Sequence, residues 1–92
     1  MAWKVFEVNA ATADLLAKDD VVSRQSITVK EGSAYGAPGR VVLIEGSDAG
    51  VAAAAAIVTA NDGRESPKAA IIHKAIKDEE SAAEGGVGFV FG

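Results

Sequence analysis

The segment Arg40-Val-Val-Leu-Ile-Glu45 does most to limit what this chain can fold into. Its four apolar residues follow one another without polar alternation. Such a run reads as a central strand covered on both faces, not as an edge left to water. Gly46 ends it, and Ser47 or Asp48 is placed to cap a helix running from about Ala49 to Ala60 or Asn61. Asn61-Asp62-Gly63 stops that helix. A strand buried on two sides needs neighbours, and the rest of the chain has to supply them.

Trp3-Lys-Val-Phe-Glu-Val8 mixes aromatic and β-branched residues and reads as a second apolar strand. Asn9 or Thr12 can cap a short helix over Ala10–Asp19, in which Ala11, Leu15 and Leu16 form the apolar face while Asp14 and Lys18 point outwards. Ser26-Ile-Thr-Val-Lys30 alternates, with Ile27 and Val29 on one side, as an edge strand does. Between it and Arg40 lies Gly32–Gly39, with three Gly and one Pro in eight residues, which reads as a loop. After Pro67, a fourth strand is expected over Ala69–Ile76, then a short solvated helix over Lys77–Glu84 and an apolar tail, Val87–Gly92.

The order is therefore β-α-β-loop-β-α-β. This predicts a single α+β domain over residues 1–92, with its core at about 3–77 and a tail at 78–92. The expected architecture is ferredoxin-like: a four-stranded antiparallel sheet, its first and third strands in the middle and its helices on one face.

Chains of this size bury only about 60% of the surface that their unfolded state exposes, so a partner, metal or disulfide usually supports them. There is no Cys and one His, which excludes a disulfide and leaves a zinc site without its usual ligands. Self-association remains as the expected support. Acids outnumber bases 13 to 9, the wrong balance for a phosphate backbone, so nucleic acid is not an expected partner. The longest apolar stretch, Ala49–Val58, is too short for a membrane span, and no secretory signal is visible, so a cytoplasmic protein is expected.

Catalytic chemistry finds little support. His73 has no Ser, Cys or metal-ligand companion at a recognisable spacing, and it reads as structural or exposed. Asp19-Asp20 and Asp78-Glu79-Glu80 are adjacent residues that point in different directions, and they read as solvated faces. Gly32, Gly36 and Gly39 do not fit a phosphate-binding spacing and lead into a strand, and Asp48 at the helix start would repel an anion. No enzyme activity, catalytic residue, metal or cofactor is expected.

The stretch Arg40-Val-Val-Leu-Ile-Glu-Gly-Ser-Asp-Ala-Gly-Val-Ala-Ala-Ala resembles the third strand and second helix of bacterial microcompartment shell domains. There an apolar strand runs into a Gly-Asp turn and an Ala-rich helix. The resemblance extends over about residues 3–77. It departs from the family in a short first helix, a longer loop and a C-terminal tail without counterpart, departures similar to those of the shell proteins associated with glycyl-radical enzymes. An iron–sulfur cluster thought to sit at the pore of some of those is not carried over, because thiolates are lacking.

The resemblance implies a structural protein forming homohexamers that tile, with other shell proteins, into a facet around encapsulated enzymes. Lys18 falls where the family has its hexamer-edge lysine. Six copies of the 32–39 loop would ring a central pore for small metabolites. Gly32, Gly36 and Gly39 would let backbones converge there, Pro38 would stiffen the turn, and Ser33, Ala34, Tyr35 and Ala37 would complete an uncharged lining. The alternative is a regulatory oligomer of the same topology that binds an amino acid or a nucleotide. Electron microscopy and ligand binding separate the two.

Overall fold

The computed structural model describes residues 1–89, and the side chains of residues 1–81. Strand β1 spans Ala2–Val8, helix α1 Ala10–Lys18, β2 Ser26–Glu31, β3 Arg40–Gly46, α2 Asp48–Ala60, β4 Arg64–Glu65 and α3 Ala69–Phe89. The four strands form one antiparallel sheet in the order β2-β3-β1-β4, so the two most apolar strands lie in the middle, as their composition requires. This is the expected α+β sheet, with two departures in how it is completed.

The first concerns the fourth strand, which is the two-residue β4 and not Ala69–Ile76. Those residues open α3. Ser66 starts the turn: its Oγ accepts a hydrogen bond from the Lys68 amide at 3.1 Å, and its carbonyl accepts one from Ala69 at 3.2 Å. Pro67 lies in the turn ahead of the helix, where its missing N–H interrupts no helical hydrogen bond. Ala69, Ile72 and Ile76 then recur at helical spacing on one face. The expected short helix Lys77–Glu84 is the continuation of this one. Within the expected tail Val87–Gly92, Val87–Phe89 end α3, and Val90–Gly92 lie outside the described residues.

The second departure is that the helices do not share one face. Side chains alternate along each strand, and the register pairs Phe6 with Val42 and Val5 with Leu43. Phe6, Val8, Val42 and Ile44 meet Ala13 and Leu16 of α1 and Val51, Ala54 and Val58 of α2. Val5, Val41 and Leu43 meet Ile72 and Ile76 of α3 on the opposite side. Hence the unbroken apolar run of β3: each of its faces has its own helical cover.

The helix caps follow local chemistry. Asn9 Oδ1 accepts from the Thr12 amide at 2.8 Å, and Ser47 Oγ accepts from Gly50 at 3.0 Å. Buried residues of α1 are Thr12, Ala13 and Leu16, whereas Ala11 and Leu15, expected on the inner face, are exposed. Asp62 ends α2 in a left-handed conformation, with φ of 62°.

Candidate functional site

The glycine-bearing segment 32–39 closes on itself. The Gly32 amide donates to the Gly39 carbonyl at 2.8 Å, and the Ala37 amide donates to the Gly32 carbonyl at 2.9 Å. At the base, Arg40 and Glu31 form an ion pair at 2.8 Å. Gly39 has φ of 63°, and a Cβ there would lie 2.6 Å from the Val8 carbonyl oxygen, so this position is open only to glycine. Gly32 and Ala37 are buried and Tyr35 is half-buried against the cluster of Val5, Val41, Leu43, Ile72 and Ile76; Ser33, Ala34, Gly36, Pro38 and Gly39 are exposed.

Helix α3 pins this loop. Tyr35 donates its hydroxyl hydrogen to Glu79 Oε2 at 2.8 Å, and Lys68 Nζ donates to the Gly36 carbonyl at 3.2 Å. Burial chiefly, and then the hydrogen bond to and charge of Glu79, push the Tyr35 phenol up to about 12. Lys30 of the edge strand stands 3.5 Å from the other Glu79 oxygen.

Lys18 lies at the end of α1, in a shallow depression of about 350 Å³ lined also by Leu15, Asp19, Ile57 and Asn61. Among the described residues it forms no ion pair. A larger open cleft of about 390 Å³ lies at the far end of β1, between Pro38–Gly39 and the α2–β4 turn, with Asn9, Asn61, Asp62 and Arg64 on its walls. At its floor Glu7, almost fully buried, accepts from Arg64 Nε at 2.8 Å and from Ser66 Oγ at 2.9 Å. The sequence carried a signal for this cluster. An acid on the Val5 side of a strand this apolar needs a partner once buried.

The acidic pairs singled out above are occupied structurally. Asp19 Oδ2 accepts from the Val21 and Val22 amides, both at 3.0 Å, and Asp78 pairs with Lys74 at 2.6 Å. Glu80 lies 3.4 Å from Lys77 Nζ. Asp48 is exposed in the first turn of α2. His73 is on a helix and not in a strand, stacked on Trp3 with ring centroids 3.8 Å apart. Lys77 bridges to Glu45 at 2.8 Å; that hydrogen bond, above all, raises the ammonium's pKa against the opposing pull of desolvation, and the charges of Glu45 and Glu80 add to it.

Among the described residues no three His, Asp or Glu side chains converge as a metal would require, and no helix is long and apolar enough to cross a membrane. The fold and these sites define a small α+β protein with a two-sided sheet and a closed glycine loop. Comparison with known protein families, curated proteins and solved structures finds no match.

Proposed function

We propose that the chain is a structural subunit of a bacterial microcompartment shell: a homohexamer that tiles edge to edge, with other shell proteins, around encapsulated enzymes in the cytoplasm. The observation that carries the reading is the 32–39 segment. It is uncharged, closed by its own backbone hydrogen bonds, and emerges between the edge strand β2 and the central β3. Six such loops about an axis would leave a narrow hole lined by exposed Ser33, Ala34, Gly36, Pro38 and Gly39, selecting small metabolites by size more than by charge. Tyr35, turned towards its own subunit, would hold the loop's shape from behind. Lys18, beside the apolar Leu15 and Ile57 and without an ion-pair partner among the described residues, suits an edge contact between hexamers. Leu15, Val21 and Val29 are large apolar side chains left exposed, which subunit contacts would cover.

A regulatory module that binds an amino acid or a nucleotide is the second reading, favoured by the polar cleft beside Arg64. Light scattering and negative-stain microscopy of the purified chain separate the two. Six-fold particles, or sheets and tubes built from them, are the expected result, and Lys18→Glu should impair tiling more than hexamer formation. A well-folded monomer at micromolar concentration refutes the shell assignment.

A further inference from the structure

Trp3, Glu45, His73 and Lys77 meet where the start of β1, the end of β3 and the middle of α3 come together. Trp3 and Glu45 are cross-strand partners, so both side chains stand on the face that α3 covers. The His73 imidazole lies flat on the Trp3 indole, the planes within 6° of parallel. Its Nε2 stands 3.6 Å from Glu45 Oε2, and the other oxygen of that carboxylate accepts from Lys77 Nζ at 2.8 Å. We infer that this cluster is a proton-responsive clasp holding α3 to the sheet, tightest when His73 carries its charge.

Imidazole is the one side chain that ordinarily changes charge between about pH 5 and 8. Against an indole face at this distance, a protonated ring gains a cation–π attraction that a neutral ring lacks. The gap to Glu45, just beyond hydrogen-bond reach, becomes an ion pair with a carboxylate that is only 11% exposed. The opposing charge is Lys77, which shares the carboxylate; it sits on the other oxygen and is 42% exposed, so water screens its repulsion. The remaining neighbours do not change the balance. Lys74 is held by Asp78 and Glu80 by Lys77, and β2 places the uncharged Ser26 opposite Glu45. The extra hold belongs to the charged form alone, so it is present in acid and lost as the pH rises through the range in which imidazole titrates.

The clasp sits on the helix that also secures the 32–39 loop through Glu79 and Lys68. Loosening α3 therefore slackens the loop as well. This coupling stands whether or not the chain builds a shell.

Trp3 is the only tryptophan, so its emission reports the stack directly. Between about pH 8 and pH 5, the native chain should lose emission in a single one-proton step. Hydrogen exchange at α3 amides, corrected for intrinsic rates, should slow by about fivefold over the same range. His73→Gln should remove both responses. The same emission step in His73→Gln, or equal α3 protection at both ends of the range in the native chain, overturns the inference. Should that variant not fold, Trp3→Phe serves in its place. A lost or reduced pH response of α3 protection supports the clasp, and a full response without the indole overturns it.

Discussion

Replacing Ile72, Ile76 and Ile71 in turn by Ala tests whether α3 is built and docked as described. Ile72 and Ile76 are 1% and 0% exposed against Val5, Val41 and Leu43, while Ile71, the immediate neighbour of Ile72, is 72% exposed. Each substitution deletes three carbons. At about 0.8 kcal/mol for each buried methylene, the transfer loss at Ile72 or Ile76 is about 2.4 kcal/mol. An incompletely collapsed cavity brings this to about 3–4 kcal/mol. A chain of 92 residues has a total stability on the order of 5–14 kcal/mol, so either change removes a large share. With a urea dependence of about 1–3 kcal/mol per molar, the unfolding midpoint followed by far-ultraviolet circular dichroism should fall by roughly 1–4 M. Ile71→Ala should stay within about 0.5 kcal/mol of the native chain. In a strand, Ile71 would share a covered face with His73, and its loss would be felt. If Ile71→Ala destabilises as much as Ile72→Ala, the helix and its register are wrong.

Two further outcomes follow from the loop. Gly39→Ala forces a Cβ into left-handed backbone and against the Val8 carbonyl, and should cost about 2 kcal/mol or more, read as a lower urea midpoint; an unchanged midpoint would mean that the turn is not closed as described. Tyr35, the only tyrosine, should ionise near pH 12 in the folded chain when phenolate absorbance is followed, against about 10 once unfolded. Since folding favours its protonated form, its contribution is complete below about pH 10 and is lost as the pH climbs towards 12. A midpoint near 10 in the folded chain contradicts the burial of the ring and its bond to Glu79.

The sheet was largely legible in the sequence because its signals are local. Alternation in Ser26–Lys30 marks an edge, and the unbroken run of Val41–Ile44 marks a centre. The fourth strand was not. Ala69–Ile76 carries apolar residues at 69, 72 and 76 and also at 70, 71 and 75, so alternation and helical periodicity overlap over eight residues. What decides between them lies upstream, in the Ser66–Ala69 turn, where the Ser66 hydroxyl and carbonyl accept from the Lys68 and Ala69 amides. At the site, the loop character of Gly32–Gly39 was legible from composition, but its backbone closure was not, and the engagement of Tyr35 by Glu79 joins residues 44 apart in the chain. No local rule reaches that far. The Trp3–His73 stack is of the same kind, since both residues read as unremarkable until the β1–β3 register and the helical phase of α3 bring them together.

The two faces of the sheet are held by different means. On one, ten buried apolar residues interlock β1 and β3 with α1, α2 and the turn at Val22. On the other, among the described residues, Val5, Val41, Leu43, Ile72 and Ile76 are buried together, and around them stand Glu7 with Arg64, Glu45 with Lys77, and Glu79 with Tyr35 and Lys30. Lys30–Glu79 is an exposed pair, worth at most about 1 kcal/mol, whereas pairing of the buried carboxylates of Glu7 and Glu45 chiefly offsets the cost of desolvating them. The five apolar side chains therefore supply most of the adhesion, and the polar ring chiefly fixes the angle and register of α3. A helix attached in this way is the element that a small change in charge can loosen first, and it holds the one loop whose shape the proposed function depends on. Assembly would rest on the α1–α2 side, through Lys18, Leu15 and Ile57, while control would rest on the α3 side.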